Sequence, residues 1–414
     1  MIKEKGDIIQ LGDGWRLVPF KLMAEHISKR VEPKETKLKY YIGLEHLDSK
    51  TLKIKRHGTP EDVQGTKLVA KPGDIIFGKR RAYQGKVAIC EWDAIVSAHS
   101  MVLRAQEEVI IKELLPFFMQ SQEFYNRSLK ISEGSLSPTI KWKVLAEEKF
   151  IIPPKNIQRD IIEKLNATED NINCKEILLE KTLKYKEKLV NKLLTRGVNH
   201  SNYKPSSIGE IPKDWELKRI DDVCNINPQK EKIADTDTEI SFLTMEDISN
   251  DAKIINLRER KYSEVSSGFT SFRENDVIVA KITPCFENGK GALAQNLKNS
   301  IGFGSTEFHI LRAKDEVLPK YIYYHTTNKL FRTLGEWNMT GSAGQKRVPK
   351  EFLEGFKIGI PPLTEQRKIV EILDGLENVI SNIESNIKNT KKVKEELLIF
   401  LFDPKFYQNN IAKV

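Results

Sequence analysis

Pro153-Pro154-Lys155-Asn156-Ile157-Gln158-Arg159 opens a 42-residue stretch that occurs twice. Residues 153–194 align without a gap on residues 361–402, which begin Pro361-Pro362-Leu363-Thr364-Glu365-Gln366-Arg367. The offset is a constant 208, and 16 of the 42 paired positions are identical. They include Gln158/Gln366, Arg159/Arg367, Leu165/Leu373, Ile172/Ile380, Lys186/Lys394 and Leu193/Leu401. Each copy reads as one long helix. In the second, Ile369, Leu373, Leu376, Ile380, Ile383 and Ile387 step by 4, 3, 4, 3, 4, the seam of a coiled coil. The first copy keeps Ile161, Leu165, Ile172 and Leu179 at four of those places and puts Thr168 and Lys175 at the other two. Pro-Pro stops what comes before, Asn156 and Thr364 offer N-caps, and Arg196-Gly197 and Asp403-Pro404 close the two helices. At about 1.5 Å per residue, roughly 40 residues make a rod of about 60 Å.

A core helix of a bundle is the plain reading of one such stretch. Two copies change the weighing, because a narrow seam on a long charged helix can be buried against its own repeat. If a two-fold axis perpendicular to the helices relates them, they run antiparallel, and what each copy carries goes to opposite ends of the rod.

The chain has 414 residues, enough for two or three domains, with 30% charged and 39% hydrophobic residues. A net charge of +9 favours an anionic partner. No apolar run long enough for a membrane span occurs, and the Met1–Asp7 start lacks the apolar core of a signal peptide, so a cytoplasmic location is expected. Cys90, Cys174, Cys224 and Cys285 are scattered without a Cys-x-x-Cys, which suggests neither zinc nor a disulfide framework.

Residues 1–14 are polar and read as loose. Short β-type runs (Tyr40–Leu44, Asp74–Phe77, Ala94–Val96), turn residues between them and a helix near Glu113–Ser121 indicate α+β with a mostly antiparallel sheet. A polar linker, 198–214, leads to a second globular segment. The two segments are worn repeats. Trp15-Arg-Leu matches Trp215-Glu-Leu, Ile42–Glu45 matches Leu243–Glu246, and Asp74–Lys79 matches Asp276–Lys281. Gly85-Lys86 matches Gly289-Lys290, Leu103-Arg-Ala105 matches Leu311-Arg-Ala313, and Gly134-Ser135 matches Gly341-Ser342. Each half therefore reads as a globular module plus a helix. The helices stayed alike while the modules diverged, as if the helices met two copies of one partner and the modules two different targets.

No catalytic constellation survives inspection. There is no Walker loop and no His-x-x-His, and Gly302-Phe-Gly304 lacks the rest of a dinucleotide loop. Asp74 with Lys79 superficially suggests a nuclease carboxylate and lysine, but its repeat at Asp276 and Lys281 in a strand-like frame points to structure. Basic and polar residues on loops stand out instead. Lys79, Arg80, Arg81, Tyr83, Gln84 and Lys86 leave an apolar strand and turn at Gly85. Arg can pair bidentately with guanine, Gln with adenine, and Lys can neutralise a phosphate. The equivalent in the second module carries Lys281, Thr283, Asn288 and Lys290. Ser342, Gln345, Lys346 and Arg347 form a Gly-rich loop suited to phosphate, with Ser135, Ser137 and Lys141 as counterparts. The plain alternative for all four loops is a solvated tip.

Ile211-Pro212-Lys213-Asp214-Trp215-Glu216-Leu217 opening a module, and Pro-Pro-x-x-x-Gln-Arg closing both modules before a long helix, resemble the specificity (S) subunits of type I restriction-modification enzymes. The match covers nearly the whole chain. Ile157 where the second copy has Glu365, and Gly12-Asp13-Gly14-Trp15 without an Ile-Pro pair, depart from the pattern. The resemblance implies an α+β chain with target recognition domains at 1–152 and 215–360. It places spacer helices at 153–197 and 361–403, a linker at 198–214 and a tail at 404–414. Each domain would read one half of a bipartite, asymmetric double-stranded DNA site. The helices would dock two modification (M) subunits that methylate adenine, and through them restriction (R) subunits. Gln158, Arg159, Leu165, Ile172 and their repeats Gln366, Arg367, Leu373, Ile380 would serve docking and helix pairing. The chain itself would be non-catalytic and hold no metal or cofactor, with S-adenosylmethionine, ATP and Mg in the partner subunits. A coiled-coil scaffold with protein-binding ends is the alternative.

Overall fold

The computed structural model describes residues 8–342 and 344–403; the expected tail 404–414, residues 1–7 of the first module and Ala343 of one candidate loop lie outside the described residues. The chain divides into two compact units, and the division cuts both long helices, between Glu176 and Ile177 and between Glu384 and Ser385. The first unit takes the start of the first helix and the end of the second, and the second unit takes the complementary pieces.

In the first unit, Ile9–Gly12, Trp15–Pro19 and Lys149–Ile152 form an antiparallel three-stranded sheet, so residues 9–14 are a strand and turn rather than loose chain. A second sheet has the order Ala24–Ile27, Met101–Ala105, Ile75–Phe77, Val87–Ile89, all antiparallel. A third has the order Arg30–Val31, Lys67–Ala70, Ala94–Val96, Tyr40–Ile42, with only the last pair parallel. Buried Phe20, Phe77, Phe118, Phe124 and Phe150 make the aromatic core, their ring centroids 5.2–5.9 Å apart in neighbouring pairs.

The second unit repeats this plan with two changes: Glu216–Arg219 and Lys357–Ile360 form a two-stranded sheet where the first unit has three strands, and one edge strand moves. Cys224–Ile226, Phe308–Ala313, Val277–Ala280 and Gly291–Leu293 reproduce the antiparallel four-stranded sheet in the same order. In the other sheet Glu239–Leu243 runs parallel to Ile301–Gly304, which pairs antiparallel with Thr270–Arg273. These three match Tyr40–Ile42, Ala94–Val96 and Lys67–Ala70. The fourth strand, Arg258–Lys261, adds beside Glu239–Leu243, at the edge opposite to that used by Arg30–Val31. The expected linker is structured as well. Tyr203–Ser206 and Gly209–Pro212 form a hairpin, and Glu365 accepts hydrogen bonds from Val198 N, His200 Nε2 and Trp215 Nε1 at 2.8–3.0 Å.

The long helices span Lys155–Arg196 and Leu363–Phe400. Their first in-helix carbonyl acceptors are Pro154 and Pro362, bonded by Gln158 N and Gln366 N, so Asn156 and Thr364 lie inside the first turn and are not the caps. Gly197 ends the first helix at φ +63°, where an added Cβ would lie 2.7 Å from the Trp215 ring. Within each unit the two segments run antiparallel, and their seams enter the module core. Ile161 and Leu165 share a cluster with Leu398, Leu401 and Phe402; Ile369 and Leu373 share one with Val190, Leu193 and Leu194. Each fully buried residue of this kind is worth about 1.5–3 kcal/mol. Ile172 and Ile380 are also buried, and Lys175, the polar interruption of the first seam, donates to Thr390 Oγ1 at 2.8 Å.

Two identical pairs of the repeat meet crosswise. Glu169 of the first helix pairs with Lys394 of the second, and Glu377 of the second with Lys186 of the first. Lys394 is 4% exposed and also donates to Gln120 Oε1 at 2.8 Å; burial lowers its pKa, which Glu169 opposes.

Candidate nucleic-acid interface

Strand Ile75–Phe77 ends in Gly78, and the next residues turn beside the loop that precedes residue 142. Ile140 N donates to the Lys79 carbonyl at 3.0 Å and Arg81 N to the Pro138 carbonyl at 2.8 Å. In the second module Val348 N donates to the Lys281 carbonyl at 2.8 Å and Thr283 N to the Lys346 carbonyl at 2.9 Å. The two candidate loops of each module, about 60 residues apart in sequence, are thus zipped into one tip by the same pair of backbone bonds.

At the first tip Arg81 is exposed at φ +56°, and Tyr83 is 50% exposed. The carbonyls of Tyr83 and Gln84 accept from Tyr125 Oη and Ser49 Oγ at 3.0 and 2.6 Å, which fixes the loop from behind. Lys79 is half-buried; desolvation, then Arg30, hold its ammonium below the ordinary lysine pKa. Arg80 contacts His99 Nε2 at 3.1 Å. Ser135 is exposed, Ser137 half-buried, and Lys141 pairs with Glu133 at 2.6 Å. At the second tip Lys281 repeats Lys79, its pKa lowered first by burial. Asn288, Ser342, Gln345 and Lys346 are exposed, Thr283 bonds Glu287, and Arg347 forms a two-point pair with Glu307 at 2.8 and 2.9 Å. Arg347 holds Glu307 below the usual carboxylate range.

Three expectations are corrected. Lys86 and Lys290 do not offer their ammonium groups to a ligand: each donates at 2.7 Å to a backbone carbonyl, of Leu44 and Met245, tying the Gly-Lys turn to the short 3₁₀ turn beside it. Arg347 is an ion-paired residue rather than a free phosphate contact. Gln158 and Gln366 are fully buried and cannot dock a subunit. Gln158 bonds Ile111 N, Val109 O and Pro153 O; Gln366 bonds Leu318 N, Glu316 O and Pro361 O, at 2.8–3.2 Å throughout. Arg159 and Arg367 are exposed in the first turns. Asp74 and Asp276 are structural, each gripped by two nitrogens of one arginine, Arg104 or Arg312, at 2.7–2.9 Å.

The structure adds residues that the sequence reading missed. Arg30, Lys67, His26 and His99 surround Lys79 and Arg80, and Lys230 lines a 400 Å³ cavity with Lys281 and Thr306. The repeat offsets could have found some of them: Arg30 and Lys230 are 200 apart, and His99 and Glu307 are 208 apart. Among the described residues Arg30, Lys79 and Arg81 in one module, and Lys230, Lys281 and Lys346 in the other, have no carboxylate in salt-bridge range. Three unpaired cations beside exposed polar side chains suit a phosphate backbone and base edges. His200, Asp214 and Glu365 also converge, their ligand atoms within 4.8 Å, but the oxygens of Glu365 are taken by the three N–H donors named above, which makes the group a fastener.

The family model for the type I restriction modification DNA specificity domain matches residues 27–184 and 212–391. The specificity subunits of the Escherichia coli enzymes EcoEI and EcoAI are 37% and 38% identical over 191 and 193 residues, 46% of this chain and 32% of each relative. The match thus spans about a third of the length of those two. The MjaVIII specificity subunit of Methanocaldococcus jannaschii is 22% identical over 99% of this chain and 95% of its own. A solved chain from a study of complex assembly and conformational transition of the type I R-M system superposes with a TM-score of 0.60 at 19% identity, covering 96% of this chain and 99% of that one. The S subunit from M. genitalium gives 0.53 at 13%, covering 95% and 98%. Both likenesses concern the fold.

Proposed function

We propose, from the premise that the chain belongs to the type I restriction modification DNA specificity family, that its two modules each read one half of a bipartite, asymmetric double-stranded DNA site. The observation that carries this reading is the pair of zipped tips. Each is built from the same two loops, presents three unpaired cations, and differs from the other in the side chains offered to bases. Arg81, Tyr83 and Gln84 would read at one tip and Thr283, Asn288 and Gln345 at the other. Lys79, Arg30, Lys281, Lys230 and Lys346 would take phosphates.

The chain would be the non-catalytic recognition part. Two M subunits would dock on the repeated helices, for which exposed Arg159 and Arg367 are equivalent handles, and R subunits would join through them. S-adenosylmethionine, ATP and Mg would belong to those partners, in the cytoplasm. Among the described residues no helix is long and apolar enough to cross a membrane.

Affinity of the purified complex for duplex DNA against salt tests the reading. Five phosphate contacts should lower the affinity by about 500-fold between 50 and 200 mM salt. A flat salt profile would favour a protein-binding scaffold.

A further inference from the structure

His99 and Glu307 occupy the same position in the two modules. Each precedes a repeated strand, Met101–Ala105 or Phe308–Ala313, and Leu103-Arg-Ala105 and Leu311-Arg-Ala313 share their offset of 208. Each holds an arginine of its tip, but the arginines are not equivalent. Arg80 lies on the first loop, bridged to Thr139 of the second; Arg347 lies on the second loop, bridged to Ile282 of the first. By the zipper bonds Arg80 corresponds to Ile282 and Thr139 to Arg347. The arginine has changed sides of the bridge while its acceptor has stayed in place.

Resting on the DNA-reading assignment above, we propose that residue 99/307 is the positioning residue of each tip, and that histidine in one module and glutamate in the other make recognition of the first half-site proton-linked and that of the second not. A guanidinium only donates, so Arg80 at 3.1 Å requires a lone pair on His99 Nε2 and a neutral ring. The groups facing His99 are Arg80 and Lys79 from the loop and Lys67 from the neighbouring strand, with Ser97 Oγ accepting its backbone N–H; none is acidic. Burial first, then those cations, hold its pKa below the ordinary 6.5. A phosphate arriving at the tip reverses the local charge, favours the imidazolium and frees Arg80 to turn to the DNA. Binding therefore takes up a proton, and affinity rises as pH falls through the region around and below 6.5. Glu307 faces Arg347 and Lys281, and its pKa is lowered from 4.5, so it stays ionised between pH 6 and 8 and contributes no such dependence. His26, stacked on Trp142 at 5.1 Å and facing Lys79 and Arg30, is the other histidine near this tip.

The test uses the full chain and a duplex selected with it from a randomised library at pH 8. Further duplexes have one half-site or the other scrambled. Between pH 8 and pH 6 the wild type should bind the selected duplex about three- to tenfold tighter, one proton allowing at most tenfold per unit. The gain should vanish when one particular half-site is scrambled and persist when the other is. His99→Gln keeps an acceptor for Arg80 and so should retain the motif while losing most of the gain; Glu307→Gln should keep the gain. An unchanged pH slope in His99→Gln, or a gain indifferent to which half is scrambled, overturns the proposal. Failure of the wild type to select any motif overturns the DNA reading instead. Calorimetry of the wild type at pH 6 in buffers of unlike ionisation enthalpy needs no variant: it should show uptake of a sizeable fraction of a proton, and zero uptake overturns the proposal.

Discussion

The two modules share a bonded frame and differ in the side chains at their tips. In the frame, the correspondence extends to single atoms: Asp74–Arg104 repeats as Asp276–Arg312, and Lys86 to the Leu44 carbonyl repeats as Lys290 to the Met245 carbonyl. Gln158 and Gln366 fasten each helix start with the same three kinds of bond. At the tips, Arg80–His99 stands against Arg347–Glu307; in the frame, the fourth strand of one sheet has moved to the opposite edge. A buried bond network penalises change on either side, because the partner left behind is unsatisfied. An exposed side chain on a fastened loop leaves nothing behind when it is replaced. The frame is therefore held while the tips vary, which suits two modules that read different sequences.

The heaviest blow to this comparison should come from the shared glutamines. Replacing Gln366 by Leu strands an N–H and two carbonyls, at about 1–3 kcal/mol each, and should cost at least about 3 kcal/mol by denaturant unfolding. Gln158→Leu should cost less, because Arg16 Nη2 still donates to the Val109 carbonyl at 3.0 Å; a larger loss for Gln158→Leu than for Gln366→Leu would break the comparison.

The crossed pairs sharpen it. Lys394→Met removes an ammonium whose side chain is 5% exposed and leaves Glu169, 17% exposed, without a cation, which should cost about 3 kcal/mol. Replacing Lys186, whose side chain is 30% exposed, should cost about 1 kcal/mol or less, because Glu377 keeps Lys253 at 3.8 Å. Equal costs would mean that burial of the pair is not what separates the units.

Much of this was legible in the sequence. Spacing of Ile369 to Ile387 fixed the buried stripe, and all but half-buried Leu376 are buried. The runs at 40, 75 and 94 are strands. What the sequence hid are destinations. Periodicity shows which face of a helix is apolar but not that the end of the second helix, Leu398–Phe402, fills the first module's core. A lysine after a turn looks free, and whether its head reaches a carbonyl over 40 residues away, as Lys86 and Lys290 do, depends on tertiary placement. His99 and Glu307 were hidden because neither belongs to a basic run, and only the zipper sets them beside an arginine.

At the tips, Arg81→Ala should cost about 1–3 kcal/mol of binding and relax one half-site only. Lys346→Ala should weaken binding across sequences and lower the salt slope by about one, as a phosphate contact does. Uniform weakening from Arg81→Ala would make it a phosphate contact as well. The smallest effect is expected for Glu307→Gln on stability, below about 1 kcal/mol for a partly exposed pair. Because the folded-state pKa of Glu307 is depressed, that contribution is present above pH 4.5 and is lost as pH falls through the lowered value, which acid unfolding of the variant against the wild type would show.

Methylome sequencing of cells with and without this chain tests most directly whether one frame presents two unlike readers. The expected result is adenine methylation, dependent on the chain, at a motif of two half-sites that differ in sequence and are separated by an unread gap. A palindromic motif, with the two halves identical on opposite strands, would contradict it.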